Sequence, residues 1–391
     1  MSERVGTRPV VVLEALQVRE RPAGVAAGIL DLCRALATAD RGFAFTVLAS
    51  EPRMFAELTG VPQWTVLACP GARGGNLRKS LFTQFKIAGL CRDLGADLLH
   101  SLQFLVPLNC PCPAVATVHD LAWLDFPETI DRLRRTFYRL VVPRSLERAA
   151  AVITNSEATS ADVRRHFPQL AGKITTAPHG TPSWALRCAR EDTGPHPAPE
   201  RPFFLFVGTL EPRKNLSRLL EAYGLFLDAA VAEGWAPATI PDLVLVGARG
   251  WNLSALNTDI AEFQRRGRLR VCGYVPAEKL WRLYRTARAL TFPSLGEGFG
   301  LPLLEAMAAG LPVMTSRRGG MAEVAGAAAR YVDPLDPADM ARALRDLAAD
   351  DDLCADLVNR GRDRLAVWDW ARTADRTVEI YRRVLGGGVA K

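Results

Sequence analysis

Twice along this chain a short apolar run, sized for one buried strand, is followed by a stretch of helical periodicity, and the pair then repeats. The first series predicts strands at 9–13, 43–48, 97–100, 114–118, 151–154 and 173–177. Helices are predicted between them at 25–39, 78–94 and 128–149, and from a cap at Ser156 to about 166. The second series starts with Phe203-Phe204-Leu205-Phe206-Val207 and continues with strands at 243–246, 269–271, 289–292 and 312–315, a helix over 216–230 following the first of them. Uninterrupted apolar strands of this kind are buried on both faces, which requires parallel sheets covered by helices. With 391 residues the chain exceeds one comfortable core. A Pro- and charge-rich break divides it. The expected layout is a first domain over 1–186, a linker over 187–202, a second domain over 203–367, and a final helix within 368–391 crossing back toward the first domain. Two such sheets in tandem place a cleft between them, with ligands at the C-terminal ends of the strands.

Composition narrows the class. Hydrophobic residues make up 49% and charged residues 23%, as in ordinary globular proteins. No apolar run is long enough to cross a bilayer, and Met1-Ser2-Glu3-Arg4 does not begin a signal-peptide pattern, so a cytoplasmic location is expected. Eight cysteines are scattered. The one close pair, Cys110-Pro111-Cys112, lacks zinc-site spacing, and free buried thiols are expected. The net charge is +7. Arg132, Arg134, Arg135, Arg139, Arg144 and Arg148 cluster in one helical stretch with little aromatic interleaving. This reads as a solvated face rather than a nucleic-acid site, and leaves an anionic membrane surface open as a partner.

The chemistry concentrates in Glu297-Gly298-Phe299-Gly300-Leu301-Pro302-Leu303-Leu304-Glu305. Pro302 suits the opening of a helix. Gly298 and Gly300 remove side-chain bulk, so a ligand can approach backbone N–H groups at a helix end that favours phosphate. Two carboxylates beside an anion site make sense for a ligand with hydroxyls as well as phosphates. Arg213 and Lys214 follow a strand and Gly208, just before a helix. A helix N-terminus disfavours cations, so their placement points to a diphosphate, for which Arg offers a planar fork and Lys a point charge.

Several motifs in order carry a resemblance: Thr117-Val118-His119-Asp120-Leu121, Thr154-Asn155-Ser156-Glu157, Val207-Gly208-Thr209-Leu210-Glu211-Pro212-Arg213-Lys214-Asn215, Gly273-Tyr274-Val275-Pro276, the glutamate pair, and Glu323-Val324-Ala325-Gly326. Together they resemble glycosyltransferase family 4 over essentially the whole chain. The implied architecture is α/β, the GT-B fold, two Rossmann-like domains whose parallel sheets face a central cleft. The resemblance implies catalytic roles for Arg213 and Lys214 at the leaving diphosphate, and for Glu297 and His119 at the donor sugar. It implies that Glu305 holds the ribose, that Gly298, Phe299, Gly300 and Leu301 contact sugar or phosphate through the backbone, and that Tyr274 and Val275 meet the nucleobase. Asp120 is expected to orient its loop or meet the acceptor. Gly24 marks the glycine turn that passes the donor phosphate in the family; here it reads Ala23-Gly24-Val25-Ala26-Ala27-Gly28, without the usual basic residue.

The expected reaction is transfer of a hexosyl group from a UDP- or GDP-sugar to a hydroxyl of a natural-product or glycan acceptor, with retention of configuration. Retention is implied by the resemblance. No Asp-x-Asp motif lies near the donor stretch, so neither a cofactor nor a metal is expected. Two alternatives share the fold: a peripheral-membrane transferase with a lipid-linked acceptor, and a nucleotide-sugar epimerase.

Overall fold

The computed structural model describes residues 8–20, 22, 24–127, 132–192, 194–248, 250 and 254–386. The N-terminal Met1-Ser2-Glu3-Arg4, Ala23, the helix start expected at 128–131 and the last five residues lie outside them. The chain divides into two compact units, one of Met1–Gly180 with Asp369–Lys391 and one of Thr181–Trp368.

The first unit runs β1 (Val10–Glu14), α1 (Val25–Ala37), β2 (Ala44–Ala49), β3 (Trp64–Ala68), α2 (Asn76–Asp93), β4 (Leu98–Ser101), β5 (Ala114–Val118), α3 (Ala122–Asp125), α4 (Arg132–Arg148), β6 (Ala151–Thr154), α5 (Glu157–His166) and β7 (Ile174–Thr176). Its seven parallel strands lie in the order β3-β2-β1-β4-β5-β6-β7. Strand alternation sends side chains to two cores. Val11 and Leu13 pack with Ile29, Cys33 and Leu36 of α1, whereas Val12 packs with Ile87 of α2 and Val142 and Leu146 of α4. Each fully buried aliphatic side chain of this kind contributes about 1.5–3 kcal/mol. The cap expected at Ser156 is present, its Oγ accepting from Thr159 N at 3.0 Å.

The second unit runs α6 (Ser183–Glu191), β8 (Phe203–Val207), α7 (Leu216–Ala232), β9 (Asp242–Val246), α8 (Ser254–Arg265), β10 (Leu269–Gly273), α9 (Ala277–Thr286), β11 (Ala289–Phe292), α10 (Leu301–Ala308), β12 (Val313–Ser316), α11 (Met321–Ala325), β13 (Arg330–Val332), α12 (Pro337–Ala349) and α13 (Asp351–Leu365). Six parallel strands lie in the order β10-β9-β8-β11-β12-β13. Residues 187–191, read as linker from their charge, instead finish α6. Ala185, Trp184 and Cys188 of that helix pack on the core while its arginines face water.

The last helix, α14 (Trp370–Gly386), belongs to the first unit. It packs on α1 through Trp370, Ala374, Val378 and Tyr381. The Tyr381 hydroxyl meets His100 Nδ1 at 2.5 Å, and His100 Nε2 meets Thr117 Oγ1 at 2.7 Å. Burial holds the His100 imidazole down to about 3, so this buried network is neutral. All eight cysteines are free thiols.

Candidate active site

In the second unit the strand order reverses between β8 and β11. At such a switch point the loops leaving neighbouring strands diverge, and the crevice between them is where ligands bind in doubly wound sheets. The loop leaving β8 carries Gly208 to Glu211, then one tight turn, Pro212–Lys214. Asn215 ends it in the left-handed region (φ 63°), and its side-chain amide donates to Pro293 O (3.1 Å) and Pro334 O (2.6 Å). The loop leaving β11 returns a backbone hydrogen bond, Leu295 N to Arg213 O at 2.9 Å. The topology and these bonds bring together residues more than eighty positions apart.

Four charges meet there. Arg213 donates to Glu211 Oε1 (2.9 Å), to Glu297 Oε2 (2.9 Å) and to the carbonyl of Gly296 (2.7 Å), while Lys214 Nζ reaches Glu297 Oε1 at 2.5 Å. The four side chains are only 8–14% exposed. Lys214 also lies 4.9 Å from the centre of the Phe292 ring. Burial pushes the Glu297 carboxyl up, but Arg213 and Lys214 outweigh it and hold the group at about 2. Read as a bare helix start, 213–214 had no structural need for cations. Glu211 and Glu297 supply one, so the cluster is charge-balanced before any ligand arrives. Glu211 was not among the residues singled out from the sequence; its place two before Arg213 in the same motif was the available signal.

The glycines here serve close packing. A Cβ on Gly320 would stand 2.4 Å from Gly298 O, and Gly320 N donates to Glu297 O at 2.9 Å. Gly300 (φ 110°) caps α10, whose first turn contains Pro302. Phe299 and Leu301 are buried, and Phe299 stacks edge-on with Trp368 at 5.2 Å.

Glu305 sits half-buried on α10 between two aromatic donors. Tyr284 OH donates to Oε2 at 2.6 Å and Trp184 Nε1 to Oε1 at 3.3 Å. Burial, then the charge of Glu305, raises the Tyr284 phenol well above its ordinary value, so it remains a donor. The two donors, one on each carboxylate oxygen, orient Glu305. Neither aromatic was legible as a site residue. Trp184 fell at the edge of the presumed linker, and Tyr284 belongs to a helix with no motif. Tyr274, after β10, is 48% exposed, while Val275 packs against the core.

The first unit holds the other predicted positions. His119 follows β5 and is buried, its Nε2 donating to Leu102 O at 2.9 Å. Burial lowers its pKa, outweighing that bond and Asp120, so the ring is neutral with Nδ1 as the acceptor nitrogen. Asp120 accepts from Ala122 N at 3.1 Å, in the turn that precedes the short α3. Gly24 (φ 52°) caps α1. Among the described residues no group of three or more His, Cys, Asp or Glu is arranged to hold a metal ion, and no helix is long and apolar enough to cross a membrane.

Residues 22–183 match the family model described as Glycosyltransferase Family 4, and residues 190–364 match the one described as Glycosyl transferases group 1. The O-antigen chain mannosyltransferase B of Escherichia coli is 30% identical over 303 residues, spanning 74% of this chain and 75% of that protein. Sucrose-phosphate synthase from Thermosynechococcus elongatus superposes on 97% of this chain and 100% of its own, with a TM-score of 0.74 and 23% identity. Anabaena Alr3699/HepE in complex with UDP-glucose superposes on 96% of this chain and 99% of its own, with a TM-score of 0.67 and 18% identity.

Proposed function

Because the chain belongs to the family 4 glycosyltransferases, enzymes of the GT-B fold, we propose that it moves a mannosyl or glucosyl group from a nucleoside-diphosphate sugar to a glycan hydroxyl, retaining configuration. The observation that carries this reading is the balanced cluster of Arg213, Lys214, Glu297 and Glu211 at the sheet's switch point, beside the glycine-capped N-terminus of α10. The relative named a mannosyltransferase supports the sugar and the glycan acceptor, and the neighbour holding UDP-glucose supports the donor class.

The chemistry follows from the residues. Glu297, gripped by cations on one side, accepts from sugar hydroxyls with its remaining lone pairs. The Lys214 ammonium and the Arg213 guanidinium meet the diphosphate as the glycosidic bond lengthens and negative charge grows on the leaving oxygen. Fixed donors at that oxygen lower the barrier by about 3 kcal/mol each. The acceptor hydroxyl attacks the same face, and its proton passes to the departing phosphate oxygen. Glu305 takes the ribose diol. With Arg213 and Lys214 as donors to the leaving diphosphate, turnover proceeds without a divalent metal and persists in excess EDTA.

The test is titration of GDP-mannose and UDP-glucose into the protein and its Glu305→Ala variant, with product anomers assigned by NMR. Hydrogen bonds to a charged group are worth roughly 1.5–3 kcal/mol, so the variant loses about tenfold to a few hundredfold in donor affinity or turnover. A folded variant with undiminished affinity and rate refutes the ribose role. Conversion of the donor without any acceptor favours an epimerase instead.

A further inference from the structure

Three of the eight cysteines meet in the first unit. Cys91 lies on α2, and Cys110 and Cys112 lie in the segment between β4 and β5. The sulfurs of Cys110 and Cys112 are 3.9 Å apart, and the Cys91 thiol is hydrogen-bonded to both. All three side chains are buried, yet Cys110 and Cys112 alternate with the exposed Asn109, Pro111 and Pro113, so the pair lies directly beneath the surface. Two helices fix this segment. Gln84 of α2 and Ser145 of α4 both donate to Val106 O, at 3.0 and 2.7 Å, and Arg148 of α4 donates to Cys110 O at 2.7 Å. The surroundings also set these thiols apart from others in the chain. Burial pushes Cys33 up to about 12 and Cys69 up to about 11, where a thiol is inert. At Cys110 the balance reverses. The thiols of Cys112 and then Cys91 donate to its sulfur, and the nearby Arg148 guanidinium adds positive charge; together they outweigh burial and lower its pKa. Their bonds to Cys110 raise Cys91 and Cys112 in turn, which leaves one thiolate between two protonated thiols.

We propose that Cys91, Cys110 and Cys112 form a thiol oxidation site that takes hydrogen peroxide and closes a disulfide. The Cys110 thiolate attacks one peroxide oxygen. The O–O bond breaks, the sulfur becomes a sulfenic acid, and the other oxygen leaves as hydroxide, which takes a proton from solvent. The thiol of Cys91 or Cys112 then attacks the sulfenic sulfur, and its proton leaves with the expelled oxygen as a second water. Two thiols are oxidised to one disulfide, and one peroxide is reduced to two waters. Two partners within reach of one sulfenic acid favour closure over further oxidation. A bond from Cys91 joins α2 to the segment after β4, whose Leu102 carbonyl accepts from His119. Core packing alone needs neither the sulfur–sulfur contacts nor the arginine beside them, since a buried free cysteine behaves as a small hydrophobe. The inference does not rest on the sugar-transfer reading, because thiols are counted without turnover.

The experiment is titration of the reduced full-length protein with hydrogen peroxide at neutral pH, followed by intact mass, alkylation of the remaining thiols in denaturant, and peptide mapping. The first peroxide consumed should lower the count of eight thiols by two. The mass should fall by two hydrogens, and the new bond should map within Cys91, Cys110 and Cys112. Exposure alone would select Cys188 and Cys272, the two half-buried thiols. Cys110→Ala should slow the loss by at least about tenfold, because an ordinary thiol is only a few per cent ionised at neutral pH. Cys91→Ala and Cys112→Ala each leave Cys110 one partner and should still lose two thiols. First oxidation at Cys188 or Cys272, a bond between two copies of the chain, a sulfinic acid in place of the disulfide, or a full count of thiols after peroxide overturns the proposal. The map of the unsubstituted protein decides this even if a variant fails to fold.

Discussion

Replacing Glu297 by Gln tests the charge cluster directly. The substitution keeps the size of the side chain and removes its charge. In the folded protein the carboxyl titrates at about 2 against an ordinary 4.5. At about 1.4 kcal/mol per tenfold in proton affinity, the surroundings favour the ionised form by about 3 kcal/mol. That agrees with the roughly 3–5 kcal/mol cost of stranding one side of a buried ion pair; here Arg213 and Lys214 are the stranded side. The sign follows from linkage. A depressed carboxyl pKa contributes stability that is fully present above the unfolded value near 4.5 and is lost as pH falls through 2. The variant should therefore be less stable by about 3 kcal/mol at pH 7, and the gap should narrow as pH drops from about 4.5 toward 2. Hydrogen exchange of the β8 and β11 amides reports on the unit concerned without requiring both units to unfold together. Undiminished protection at pH 7, or a loss that does not change with pH, would refute the argument that Glu297 is held ionised by its two cations.

Glu14 makes the opposite case. It is buried at the end of β1, and burial lifts its carboxyl to about 7 despite hydrogen bonds from Ser101 Oγ (2.8 Å) and Leu16 N (3.2 Å) and the nearby charge of Lys79. Ionising it costs stability as pH rises from about 4.5 through 7, so Glu14→Gln should gain on the wild type by up to about 3 kcal/mol between pH 5 and pH 8. A difference in denaturation midpoint that is flat across that window would contradict this. Gly320→Ala forces a methyl to 2.4 Å from Gly298 O. It should cost about 1–3 kcal/mol and weaken donor binding in the same preparation, as read by melting temperature and titration; an unchanged pair of values would show that the two loops are not locked together.

The strands most easily read were the fully buried ones. Phe203-Phe204-Leu205-Phe206-Val207 and residues 289–292 are apolar throughout because both faces are covered, and periodicity was not needed to find them. β3 escaped because it is an edge strand: Trp64, Val66 and Leu67 are only partly buried, and Thr65 and Ala68 face water. The residues of the candidate site were singled out from local signals, namely the glycines, Pro302 and the cations before α7. Their partners were not. The ion pairs of Arg213 and Lys214 with Glu297 depend on β8 and β11 being neighbours, which no local pattern states. The Trp184 and Tyr284 clamp on Glu305 needs three helices to converge, and its members are ordinary helical aromatics until they do.

The return of α14 to the first unit sets an order of events during synthesis. Residues 10–176 supply every strand of that sheet, yet the hydroxyl that pairs with His100 belongs to Tyr381. At a ribosomal rate of about 5–20 residues per second, the early half waits on the order of ten to forty seconds, with its α14-facing flank uncovered, while the later half is made. Removing the last helix from the message would thus injure the part of the protein that was translated first.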